Sequence, residues 1–63
     1  MLEQTLLAQQ FQSLLEKASQ AEHFYADLTA RTSDPVLRSQ IEQIHKEKLR
    51  QVKLAERLLE IVA

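Results

Sequence analysis

The sequence predicts an all-α fold: an antiparallel two-helix hairpin that assembles into a four-helix bundle by homodimerisation. Three observations carry this expectation. The 63 residues contain no glycine and a single proline, Pro35, near the middle of the chain. On either side of it, apolar residues recur at alternating spacings of three and four, the period of a helix packed along one face. Finally, a chain below about 70 residues rarely supplies enough core by itself, so two helices alone leave apolar surface to be covered.

The first helix is expected from about residue 2 to residue 31. It is free of glycine and proline, and its seam runs through Leu7, Phe11, Leu14, Ala18, Ala21, Tyr25 and Leu28. A corner at 32–34, Thr32-Ser33-Asp34, follows. Pro35 has no amide to donate inside a helix and disfavours α geometry at Asp34, while Asp34 is a good N-cap and proline suits the first helical position. The second helix is expected over about 35–62, with Leu37, Ile41, Ile44, Lys48, Gln51, Ala55, Leu58 and Val62 in its seam. So short a corner folds the helices back on each other. Each arm is about 40–45 Å long at 1.5 Å per residue.

The seams are wider than one partner needs. Leu15 and Phe24 broaden the first, and Val52, Leu54, Leu59 and Ile61 broaden the second. A symmetric homodimer is the economical cover, and a neighbouring domain or another protein is the alternative. Charge adds a modest attraction between the arms: residues 1–34 carry five acids and two bases, residues 35–63 four acids and six bases.

Composition excludes much chemistry. With no glycine there is no phosphate-cradling loop or nucleophile elbow, and with no cysteine there is no disulfide framework, zinc knuckle or thiol chemistry. No Ser-His-Asp constellation is visible, and a thin hairpin provides no pocket for acid/base catalysis, so a non-enzymatic role is expected. A formal net charge of −1 predicts no global attraction to nucleic acid or to an anionic membrane. The first residues lack the basic flank and apolar core of a signal peptide, and no apolar run reaches membrane length. A soluble, cytoplasmic chain is expected.

The stretch Ala18-Ser-Gln-Ala21-Glu-His-Phe24-Tyr25-Ala-Asp-Leu28, followed by Ser33-Asp34-Pro35-Val-Leu37-Arg38 and Ile41-Glu-Gln-Ile44, resembles the rubrerythrin-type branch of the ferritin-like superfamily. The likeness covers residues 18–51. It rests on Ala21, Phe24, Tyr25, Leu28, Asp34, Pro35, Leu37, Ile41 and Ile44, set in a pattern of Glu-x-x-Ala-x-x-Phe-Tyr-x-x-Leu, an Asp-Pro corner and a helix leading into Glu-x-x-His. Small two-helix members of that superfamily form their bundle by dimerising, so the resemblance implies the assembly that the core argument requires.

The resemblance also implies a di-metal centre, held by a Glu from each of two helices and a Glu-x-x-His pair from each of the other two. Here that ligand set is missing. Ala18 occupies the first-helix Glu position, and Lys48 and Gln51 fall at the Glu and His positions of the second. A shift by one residue recovers Glu47 but puts Arg50 in place of the histidine. The metal site is thus expected to be degenerate, replaced by a polar core layer of Lys48 and Gln51. In that layer the Lys48 stem would lie over Ala18 and Ala21 and its ammonium would pair with Glu22 or Glu47, since a buried ammonium without such a partner is costly. The plainer reading is that Lys48 and Gln51 fix register.

The leading expectation is therefore a self-associating bundle with a structural or protein-interaction role and no cofactor. Its alternative is a ferritin-like protein with an altered site, binding iron, manganese or zinc through Glu22, His45 and Glu47, which flank the seam. His23 falls on the outer face, and Tyr25 is expected as a core aromatic with a partnered hydroxyl. A third reading is an RNA-binding helical dimer, from Lys46, Arg50, Lys53 and Arg57 along one face of the second helix. No aromatic residue interleaves that stripe for base stacking, and Glu42, Glu56 and Glu60 stand close enough to neutralise it locally. Nucleic acid is accordingly not the favoured partner.

Overall fold

The computed structural model describes residues 2–62 and consists of two helices, α1 (Leu2–Arg31) and α2 (Pro35–Val62). They pack side by side as an antiparallel hairpin whose principal extents are 51 × 14 × 11 Å. The molecule is a slab one helix thick. The expected all-α hairpin is present, with its corner at 32–34.

Local chemistry explains why the chain turns there. The Thr29 hydroxyl donates to the Tyr25 carbonyl at 2.8 Å and the Thr32 hydroxyl to the Leu28 carbonyl at 2.7 Å. These bonds, with the Thr32 amide on the Thr29 carbonyl at 3.3 Å, tie up oxygens in the last turns of α1 without a glycine cap. At the start of α2, Asp34 Oδ1 accepts from the Val36 amide at 3.1 Å, and the Asp34 carbonyl accepts the first helical bond, from Arg38, at 2.8 Å. Asp34 is thus the N-cap, and Pro35 takes the first helical position, where its missing amide costs nothing. At the open end, Gln4 Nε2 donates to the Val62 carbonyl at 3.4 Å and links the first turn of α1 to the last of α2.

The seam differs from the expected one in a specific way. The stripes Phe11, Ala18, Tyr25 and Ile41, Lys48, Ala55, Val62 are in it, as expected. Their companions, however, are Ala8, Leu15, Glu22 and Thr29 on α1 and His45, Val52 and Leu59 on α2, all half-buried. Of the residues expected in the seam, Leu7, Leu14, Leu37, Ile44 and Gln51 are exposed, while Ala21, Leu28 and Leu58 are half-buried at its edge. Relative to expectation, each helix is rotated by about 50° about its axis, half the 100° step between successive residues. The reason lies in the width of the apolar faces. Both helices carry three adjacent stripes, and a hairpin partner covers only two. The pair chosen lets Glu22 and His45 meet, and in the central stripes Ala18 and Ala55 are 6% and 0% exposed.

The resulting core is small. Ala18, Ile41 and Ala55 are the buried apolar residues among those described, and the chain exposes 5065 Å². A folded monomer of 7.3 kDa is expected to expose about 4200 Å². The excess, about 900 Å², is close to the ~800 Å² that each partner contributes to a standard protein interface.

Candidate functional site

Several of the exposed apolar side chains lie on one side of the slab. On α1 the stripe Leu7, Leu14, Ala21, Leu28 sits 60° round the helix from Phe11, Ala18 and Tyr25, on the side opposite Leu15 and Glu22. On α2 the stripe Leu37, Ile44, Gln51, Leu58 bears the same relation to Ile41, Lys48 and Ala55. Because the helices run in opposite directions and are both right-handed, the two stripes emerge on the same side of the hairpin. Leu7, Leu14, Leu37 and Ile44 are 43%, 47%, 48% and 37% exposed. The next stripe outward adds Phe24, Leu54 and Ile61, still more exposed, and the Phe24 ring meets that of Tyr25 edge to face at a centroid distance of 5.2 Å. The result is an apolar strip running the length of the hairpin, interrupted on α2 by Gln51.

Polar groups inside the seam cluster at one level. His45 Nε2 lies 2.8 Å from Glu22 Oε1, and His23 Nε2 lies 3.2 Å from the other carboxylate oxygen, Oε2. The Glu22 carboxylate thus hydrogen-bonds the His45 ring across the hairpin and has the His23 ring beside its other oxygen. The Glu22 and His45 side chains are 17% and 23% exposed, whereas His23 stands out in solvent at 81%. The contact across the hairpin therefore couples a shielded carboxylate to a shielded ring.

This arrangement corrects the expected polar layer. Glu22 and His45 are within the seam rather than flanking it. Lys48 is half-buried in the seam, but Gln51 is exposed on the apolar strip. The expected pairing of Lys48 with Glu22 or Glu47 does not form among the described residues, because Glu22 is engaged by the two histidines. Of the three candidate metal ligands, the structure brings Glu22 and His45 together. Glu47 is exposed two residues beyond His45 on α2, a step of about 200° round the helix, and so points away from the pair. No group of three His, Asp or Glu side chains among the described residues is placed to hold a metal ion. The participation of His23 was missed in the sequence because it adjoins Glu22 along the same helix, a contact between neighbours that periodicity does not report.

The basic residues of α2 are disposed differently from expectation too. Glu42 pairs with Arg38 at 3.3 Å rather than with Lys46, and no ion pair engages Lys46, Arg50, Lys53 or Arg57 among the described residues. Arg50, Gln51, Lys53, Leu54 and Arg57 line an open depression on the outer side of α2. No helix among the described residues is long and apolar enough to cross a membrane. Comparison of the chain with protein-family models, with curated proteins and with solved structures finds no match.

Proposed function

We propose that this chain is a non-enzymatic, self-associating helical hairpin whose apolar strip pairs with that of a second copy to close a ferritin-like four-helix bundle. The role of the bundle is structural or one of protein interaction. The observation that carries this reading is the apolar strip from Leu7 and Leu58 at one end to Leu28 and Leu37 at the other, on a molecule whose own core holds three buried apolar residues among those described. Apolar surface of this extent on a small chain marks an interaction site. A second copy supplies a strip of the same length and curvature, as isologous two-fold pairing requires.

In the ferritin-like frame, the positions of the di-metal ligands hold Ala18, Lys48 and Gln51. The carboxylate and imidazole that do meet, Glu22 and His45, complete each other by a hydrogen bond, which supports a structural rather than a metal-binding role for the pair. Native mass spectrometry after purification with iron, manganese and zinc present tests the reading directly. A metal-free dimer is the expected result. A monomer contradicts self-association, and stoichiometric metal contradicts the degenerate site and makes Glu22, His45 and Glu47 the residues to replace.

A second reading, RNA binding, is favoured by one observation: Lys46, Arg50, Lys53 and Arg57 have no ion pair among the described residues and share one side of α2, so dimerisation doubles an open basic stripe. Binding to RNA that weakens steeply as salt rises, with a slope set by the number of phosphates contacted, is the result that supports it over a purely protein-directed role.

A further inference from the structure

We infer that the depression around Leu54 on the outer side of α2 docks an acidic amphipathic helix of another protein, which sets an apolar side chain on Leu54 and carboxylates against Arg50 and Arg57. Such a partner fits the protein-interaction role proposed above, with one copy of the chain or with two.

Helical spacing builds the site. Arg50 lies four residues before Leu54 and Arg57 three after it, so two arginines flank one leucine, a turn away on either side of the same face. Lys53 borders the depression on the side away from the apolar strip, and Gln51 on the side towards it. The floor is thus apolar and the rim basic. Leu54 is 55% exposed, and Ile61, further along the same stripe, is 75% exposed. Their separation is close to two helical turns, so a helix laid along this face meets a second apolar anchor.

The face is directed outward. Arg50 and Arg57 stand about 140° and 160° round α2 from the buried Ala55. Neither they nor Lys53 form an ion pair among the described residues. The nearby acids Glu56 and Glu60 are exposed and fall on the flank of the basic stripe opposite Leu54. The cations around the leucine are therefore left for a counter-charge from outside.

Charge complementarity selects an acidic partner, and the leucine selects its class. A phosphate backbone satisfies arginine and lysine but offers nothing apolar to Leu54 and Ile61. Unpaired bases need an aromatic platform, and the aromatic residues of this chain, Phe11, Phe24 and Tyr25, are all on α1. A helix carrying glutamates or aspartates a turn either side of an apolar residue answers both parts of the site at once. Arginine beside exposed apolar side chains is, besides, a composition enriched at protein interfaces.

The probe is a fluorescein-labelled synthetic helix of about 15 residues, with leucines seven apart on one stripe and glutamates one turn to either side of each. Its anisotropy is followed as the full chain is added, beside the same peptide with every glutamate replaced by glutamine and beside a labelled oligoribonucleotide. Binding of the acidic peptide, lost in the glutamine version, is the expected result. Leu54→Asn and Arg50→Glu should each weaken it about threefold to tenfold, with helicity by circular dichroism unchanged because both positions are exposed. No binding of the acidic peptide in the high micromolar range overturns the inference. Binding of the oligoribonucleotide but not of the peptide overturns it in favour of a phosphate track. If Arg50→Glu instead lowers the mass of the chain by sedimentation, the occupant of the depression is a second copy, which overturns it as well.

Discussion

Asp34 shows how a single side chain decides the architecture. Its carboxylate holds the Val36 amide at 3.1 Å, ends the corner and starts α2 in one step. Replacing Asp34 with Ala should lower stability by about 1 kcal/mol, and Asp34→Asn should retain most of it; urea denaturation followed by circular dichroism measures both. Lys48 presents the opposite case, a lysine half-buried in the seam with no ion pair among the described residues. A polar residue at such a position fixes register at a cost in stability. Lys48→Met should therefore raise the unfolding free energy by on the order of 1 kcal/mol, and a loss of stability would show that the ammonium has a favourable partner. Asp34 was legible in the sequence because capping depends on its immediate neighbours. The engagement of Glu22 by His45 and His23 was not, because it depends on the rotation of two helices about their own axes.

That rotation is the main lesson at the scale of the helix. Periodicity identified both helices, their corner and the central stripes Phe11–Ala18–Tyr25 and Ile41–Lys48–Ala55. It did not identify which neighbouring stripe joins them in the hairpin, because Leu14 and Leu15, or Leu58 and Leu59, serve the period equally well. The structure selects the side bearing Leu15, Val52 and Leu59 and leaves Leu14 and Ile44 outside. Ala55 is completely buried, so Ala55→Leu should force the helices apart and cost about 1–3 kcal/mol, as overpacking commonly does. The same change at Ala30, exposed outside the seam stripes, should cost well under 1 kcal/mol. Parallel denaturant titrations of the variants separate a packing effect from a change in helix propensity.

For the whole molecule, the governing fact is the imbalance between surface and core. The hairpin is 51 Å long and 11 Å thick, and it leaves one long face apolar. If two copies close that face, folding and association are linked, and the thermal midpoint must rise with protein concentration. Ile44→Glu, in the middle of the strip, should abolish that dependence and lower helicity at micromolar concentration, while an equally exposed change at Glu56 or Lys53 should not. The breadth of the apolar faces was readable from the sequence. Which part of it stays exposed was not, since that depends on the same helix rotation.

Sedimentation equilibrium of the unmodified chain beside Ile44→Glu tests the account most directly. The expected result is a mass twice 7.3 kDa for the former and a shift to the single-chain mass for the latter. A single-chain mass for the unmodified protein at concentrations where it is fully helical would contradict the central claim, because the hairpin would then be stable with its apolar strip uncovered.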